Sequence, residues 1–164
     1  MSRRIKKEKG FTIIEIIMSM AIMVVAVGTT FQSALYLSRL AESGELSVTC
    51  MNAAEGVMDE IRNVAFDDIR AGYDGQIFYV DELMARNVAH QGLVKVDLLE
   101  SFGTGTDAML RIRVIVCWKQ GERIIGEAIN NGKEGILGIT LADLDGNGDI
   151  DSPCAVEAAI YNRD

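Results

Sequence analysis

The sequence predicts an α+β protein, with one long N-terminal helix whose outer half lies across an antiparallel sheet. Three observations carry that prediction. Residues Phe11–Phe31 form a 21-residue apolar run whose only ionisable side chain is Glu15. The proline-free stretch from Gln32 to Val64 keeps apolar residues at helical spacing. Farther on, Leu110, Ile112, Val114, Val116 and Trp118 alternate with Arg111, Arg113, Ile115 and Cys117, the period of two that marks a strand. A helix followed by strands, each with an apolar face to cover, packs as a two-layer roll.

At a rise of about 1.5 Å per residue the apolar run spans roughly 30 Å, the thickness of a bilayer's hydrocarbon core. Arg3, Arg4, Lys6, Lys7 and Lys9 precede it. The positive-inside rule keeps that end in the cytoplasm and sends the rest of the chain across. The run is longer than the core of a secretory signal, and Gln32–Ser38 offers only a weak cleavage site. An uncut signal anchor is the better rival. The helix then continues, with Leu40, Gly44, Ser47, Val48, Met51, Ala54, Val57, Met58, Ile61 and Val64 on one face. Arg39, Glu42, Glu45, Asn52, Glu55, Asp59 and Arg62 occupy the other. Together these make a helix of roughly 50 residues, with Cys50 beside the stripe as a small buried hydrophobe.

After the helix, Phe66–Gly75 is turn-rich and reads as a loop. Gln76–Val80 and Leu93–Leu99 are short strands, with a helical turn over Glu82–Ala89 between them. His90 falls in this connector and reads as a solvated loop residue. Gly103–Asp107 is a loop and no phosphate cradle, because no Walker lysine follows. Lys119–Glu122 is a hairpin turn from which Arg123–Ile129 pairs back, and Cys154–Asn162 is a final strand.

Composition excludes several functions. Beyond Gly10 there are 11 basic against 23 acidic side chains, a net charge of −12, and no basic stripe. No nucleic-acid partner fits that balance. One histidine and no G-x-S-x-G motif leave a hydrolase without support, so the chain reads as no enzyme. The three cysteines, Cys50, Cys117 and Cys154, are too few and too scattered for a zinc site.

The second stretch with chemistry is Asp143-Leu-Asp145-Gly-Asn147-Gly148-Asp149-Ile-Asp151. Against the calcium-loop pattern D-x-[DN]-x-[DN]-G-x5-E it places donors Asp143, Asp145 and Asn147 at positions 1, 3 and 5 and Gly148 at 6. Asp149 and Asp151 follow at 7 and 9, but Cys154 stands where a bidentate glutamate belongs. Acids this close repel unless a cation sits among them, so a structural Ca²⁺ on Asp143, Asp145, Asn147, Asp149 and Asp151 is the expectation. A turn of solvated acids is the alternative.

The segment Gly10-Phe11-Thr12-Ile13-Ile14-Glu15, behind a basic leader and ahead of an apolar helix, resembles the class III signal of bacterial type IV pilins and type II secretion pseudopilins. The resemblance implies a pilin-like roll in which residues 1–10 are a leader and 11–31 a transmembrane and filament-core helix. Residues 32–64 continue that helix, and 65–164 form the globular sheet domain with acidic loop 143–151. It implies that a prepilin peptidase cuts after Gly10, that the new amino group of Phe11 is methylated, and that Glu15 pairs with the Phe11 ammonium of a neighbouring subunit. Implied partners are other pilin or pseudopilin subunits, the peptidase and an inner-membrane assembly platform. The implied location is the bacterial inner membrane, single-pass with the C-terminus in the periplasm, then a filament. Many pilins carry a proline inside the helix, whereas the single proline here is Pro153; Gly28 is the natural weak point instead. Pilins often staple their C-terminal region, and Cys117 with Cys154 suits that, with Cys50–Cys117 or no bridge still open. The function expected is a minor pilin, with a minor type II pseudopilin or a monomeric signal-anchored calcium-binding domain as alternatives.

Overall fold

The computed structural model describes residues 12–102, 106–133 and 135–162. Its first element is the expected long helix, α1, Ile13–Arg62, continuous through Gly28. The chain divides into two compact units after Glu42. In the first, every side chain from Thr12 to Glu42 is exposed. In the second, Leu46, Cys50, Ala54, Met58 and Ile61 recur every three to four residues and are buried. Ala54, Met58, Ile61 and the buried Cys50 are as expected, but Leu40 and Val48 are exposed, and Leu46 joins the stripe instead.

Phe66–Gly75, expected as a loop, is mostly helix α2, Phe66–Tyr73. Asp67 and Asp68 occupy its first turn, where the helix dipole favours acids, and Ile69 is driven into the core. Then follow β1 (Ile77–Phe78), α3 (Asp81–Ala85), β2 (His90–Phe102), β3 (Thr106–Gln120), β4 (Arg123–Ile125), β5 (Ala128–Asn130), a 3-10 turn (Gly135–Leu137), β6 (Ile139–Leu141) and β7 (Cys154–Tyr161). The expected Gly103–Asp107 loop lies partly outside the described residues, and Thr106 and Asp107 already belong to β3.

The main sheet is antiparallel, in the order β1-β2-β3, with β4 and β7 both on the far edge of β3. β3 is its centre, and the two faces of β3 meet different partners. Leu110, Ile112, Val114, Val116 and Trp118 join the α1 stripe in the main core. Ile115 and Cys117 point the other way, into a second cluster with Ala89, Ala128 and Ile139. The β5–β6 pair forms that second layer. It exists because the expected return strand Arg123–Ile129 breaks at Gly126. Gly126 has φ +90°, and a Cβ there would meet Cys117 Sγ at 2.4 Å, so only glycine allows the turn away from β3.

Two corrections concern residues singled out from the sequence. Cys117 and Cys154 are not placed to bridge each other, and no cysteine is bridged in this structure. Cys154 stands opposite Val116 in the β3–β7 register, so strand alternation points Cys117 to the opposite face of the sheet. His90 is fully buried at the start of β2, not solvated. Its Nε2 accepts a 2.8 Å bond from the Val80 N–H, which leaves Nδ1 to carry the proton and donate to the Val88 carbonyl at 2.8 Å. Burial pushes its pKa below the ordinary histidine value.

That arrangement needs the neutral ring, since protonating Nε2 removes the acceptor for Val80. The folded pKa lies below the unfolded one, so the stabilisation is complete above about pH 6.5 and declines as the pH falls through that value. The melting temperature of the full chain in detergent should therefore fall between pH 7.5 and 5.5. In His90→Asn that slope should disappear, because no other histidine exists; an unchanged slope would refute the assignment.

Candidate assembly helix and acidic loop

The first candidate site is the start of α1. Thr12 occupies the position before the helix, and its carbonyl accepts from the Glu15 and Ile16 N–H groups at 3.0 and 3.3 Å. Glu15 lies in the first turn. A carboxylate there complements the free N–H groups and the positive end of the dipole. From Ile16 to Ser38 no charged side chain follows. The hydroxyls in that stretch turn back on their own helix: Ser19 donates to the Glu15 carbonyl at 2.7 Å, Thr30 to Ala26 at 2.8 Å, and Ser33 to Thr29 at 2.9 Å. Thr29 donates to Ala26 at 2.9 Å. With these polar groups satisfied internally, the helix surface behaves as apolar, and it is long and apolar enough to cross a membrane. Gly10 and Phe11, the expected processing residues, lie outside the described residues.

The second candidate site is the acidic loop, and the structure redistributes its donors. Lys95 and Arg113 stand directly opposite each other on β2 and β3, a like-charge pair that needs an anion between. Asp149 supplies it, pairing with Lys95 at 3.0 Å and with Arg113. The Arg113 guanidinium, with Lys95, holds the Asp149 carboxyl down at about 2. Asp97 extends the network, pairing with Arg111 at 2.9 Å and lying 3.9 Å from Arg113. Asp149 is thus the tether of the loop to the sheet.

Asp143 and Asp145 keep company with a residue the sequence reading missed. Carboxylate oxygens of Glu127, Asp143 and Asp145 all lie within 4.8 Å of one another. Glu127 arrives because β5 pairs with β6, Ala128 opposite Leu141, an association with no local signature in sequence. Asp143 accepts from the Gly146 and Gly148 N–H groups at 2.7 and 2.8 Å, and these bonds hold its carboxyl below the ordinary aspartate range. Asp145 accepts from the Asn147 N–H at 3.0 Å and its side-chain amide at 2.8 Å, which turns Asn147 inward on the loop. Glu127 accepts from the Asp151 N–H at 2.9 Å. Each oxygen retains a lone pair, so the trio can accept a hard cation, with carbonyls and water completing six to eight ligands.

Among the described residues no catalytic constellation accompanies these sites. A groove of about 350 Å³ lined by Thr49, Asn52, Val57, Phe78 and Asp81 holds no histidine or cysteine among its lining residues. His90 spends both ring nitrogens on backbone groups. Burial pushes the Cys117 thiol up to about 11, so it stays protonated.

The tether makes a prediction that separates it from the rest of the loop. Asp149→Ala should leave Lys95 and Arg113 facing each other unscreened, lower the melting temperature, and speed amide exchange across 143–151. Asp151→Ala, which removes no ion pair seen here, should do neither. Because the folded pKa of Asp149 is depressed, its contribution is full above the ordinary value of 3.8 and disappears as the pH falls through about 2. Equal exchange in the two variants would remove Asp149 from this role.

No curated protein and no solved structure matches the chain. A family model described as the prokaryotic N-terminal methylation motif matches residues 5–31. That match covers the basic leader, Glu15 and the exposed apolar helix just described, so this chain carries the N-terminal signal of type IV pilins and pseudopilins.

Proposed function

We propose that this protein is a non-enzymatic structural subunit, a minor pilin of a type IV pilus-like filament. One observation carries the proposal: the first helical unit is exposed at every position from Thr12 to Glu42 and carries no charge from Ile16 to Ser38, with Glu15 in its first turn. Such a surface is stable only in lipid or against like helices. The chain is held in the inner membrane with its sheet domain in the periplasm, cut after Gly10 by a prepilin peptidase, and methylated on Phe11. Glu15 then pairs with the Phe11 ammonium of a neighbour as the subunit leaves lipid for the filament. In a low-dielectric bundle an unpaired charge is costly, so docking and pairing favour each other.

The acidic loop completes the proposal as a structural calcium site on Glu127, Asp143 and Asp145, ordering the outward face of the domain. Support comes from the 4.8 Å cluster of their oxygens.

Three experiments test these readings. In the native host, Glu15→Ala should reduce filament-incorporated protein at least about tenfold while leaving its membrane level and the Gly10–Phe11 cut intact. An uncut leader, or full incorporation of the variant, would overturn the subunit reading in favour of a monomeric anchor. A clean deletion that spares sheared pili but depletes secreted proteins would reassign the subunit to a type II secretion pseudopilus. For the loop, millimolar Ca²⁺ should raise the melting temperature of the full chain in detergent, and Glu127→Gln should abolish the rise. An unchanged wild-type melt would remove the calcium site.

A further inference from the structure

Two sulfur atoms meet in the main core, and neither belongs to Cys117. Cys50 comes from the buried stripe of α1 and Cys154 is the first residue of β7; both are fully buried in one cluster. The two thiols are near enough for each to shift the other's ionisation. Ser47, one helical turn before Cys50, brackets the same point: Cys154 Sγ lies 3.3 Å from the Ser47 carbonyl oxygen and 3.4 Å from its hydroxyl. The two cysteines are 104 positions apart in the sequence yet share one buried cluster.

We propose that Cys50 and Cys154 are a disulfide site that locks the amphipathic half of α1 to the last strand of the sheet. The oxidant is a disulfide donor of the thiol–disulfide exchange class, found in the periplasm. One cysteine attacks the donor as its thiolate, forming a mixed disulfide and releasing one donor thiol. The second cysteine, losing its proton, displaces the other donor sulfur and closes the Cys50–Cys154 bond. Two electrons pass to the donor and two thiol protons leave with its sulfurs, so the exchange balances. Both sulfurs are closed to solvent in the finished core, so exchange takes place while β7 is docking, and the completed bond is sheltered from reductants. The link encloses β1 to β6, and a loop of that length restrains the unfolded chain strongly. The compartment of the oxidant rests on the export reading above; the choice of partners rests on the core geometry.

The test uses the whole chain. Trypsin separates the three cysteines into Leu40–Arg62, Val114–Lys119 and Glu134–Arg163. Full-length protein is extracted from membranes with thiols trapped by alkylation at lysis, digested, and mapped by mass without reductant. A second sample is reduced, unfolded, and refolded in detergent with oxidised and reduced glutathione. Expected in both is a linked Leu40–Arg62 and Glu134–Arg163 pair, two hydrogens lighter than the sum of its peptides, with Cys117 alkylated. The Cys117→Ala variant should keep the link, and reduction should lower the melting temperature by several degrees. Three alkylated peptides after refolding, or a bridge through Val114–Lys119, would overturn the proposal. A link in glutathione with free thiols in the cell would support the pair and count against export of the domain.

Discussion

The sheet domain depends on the two-sided burial of β3. A strand with one wet face needs only one partner layer, but β3 lies between α1 and a second layer built from β5, β6 and the acidic loop. Its even positions meet the helix, where Val114 and Ile112 have no exposed surface. Its odd positions are split: Ile115 and Cys117 are covered by apolar residues, Arg111 and Arg113 by carboxylates. Removing water from guanidinium groups is tolerable only because Asp97 and Asp149 come with them.

The long helix shows the same economy with two environments. Up to Glu42 the hydroxyls of Ser19, Thr29, Thr30 and Ser33 are satisfied by its own carbonyls, and among the described residues its side chains are all exposed. From Leu46 onward only one stripe is apolar, and the sheet covers it. One continuous backbone therefore carries a surface suited to lipid or helix bundles and then a surface suited to a domain core.

Much of this was legible in the sequence because it is periodic. The length of α1, the alternation in β3 and the start of β7 at Cys154 all follow from spacing. What escaped is what spacing does not encode. Leu40 and Val48 were misplaced because they belong to the exposed part of the apolar pattern, and Leu46 joins the core stripe instead. α2 was hidden by Asp67, Asp68 and Gly72, turn-type residues that here lie within a helix buried through Ile69. His90 was misplaced because its partners are backbone groups of Val80 and Val88, invisible as motif members. The acidic loop was visible as a run of donors, but the removal of Asp149 by Lys95 and Arg113 and the arrival of Glu127 are products of strand register. The expected processing residues Gly10 and Phe11 lie outside the described residues and rest on sequence alone.

The self-satisfied hydroxyls of α1 have a consequence for how such a helix meets a copy of itself. Between Ile16 and Ser38 its surface carries no charge and no outward hydrogen-bonding need from Ser19, Thr29, Thr30 or Ser33. Displacing one helix along the other by a turn, about 5.4 Å, exchanges one set of dispersion contacts for an almost equivalent set. Axial position is then nearly degenerate, and packing alone leaves neighbours free to slip. In the assembly proposed above, a single carboxylate at one end would break that degeneracy and leave the rest of the surface smooth.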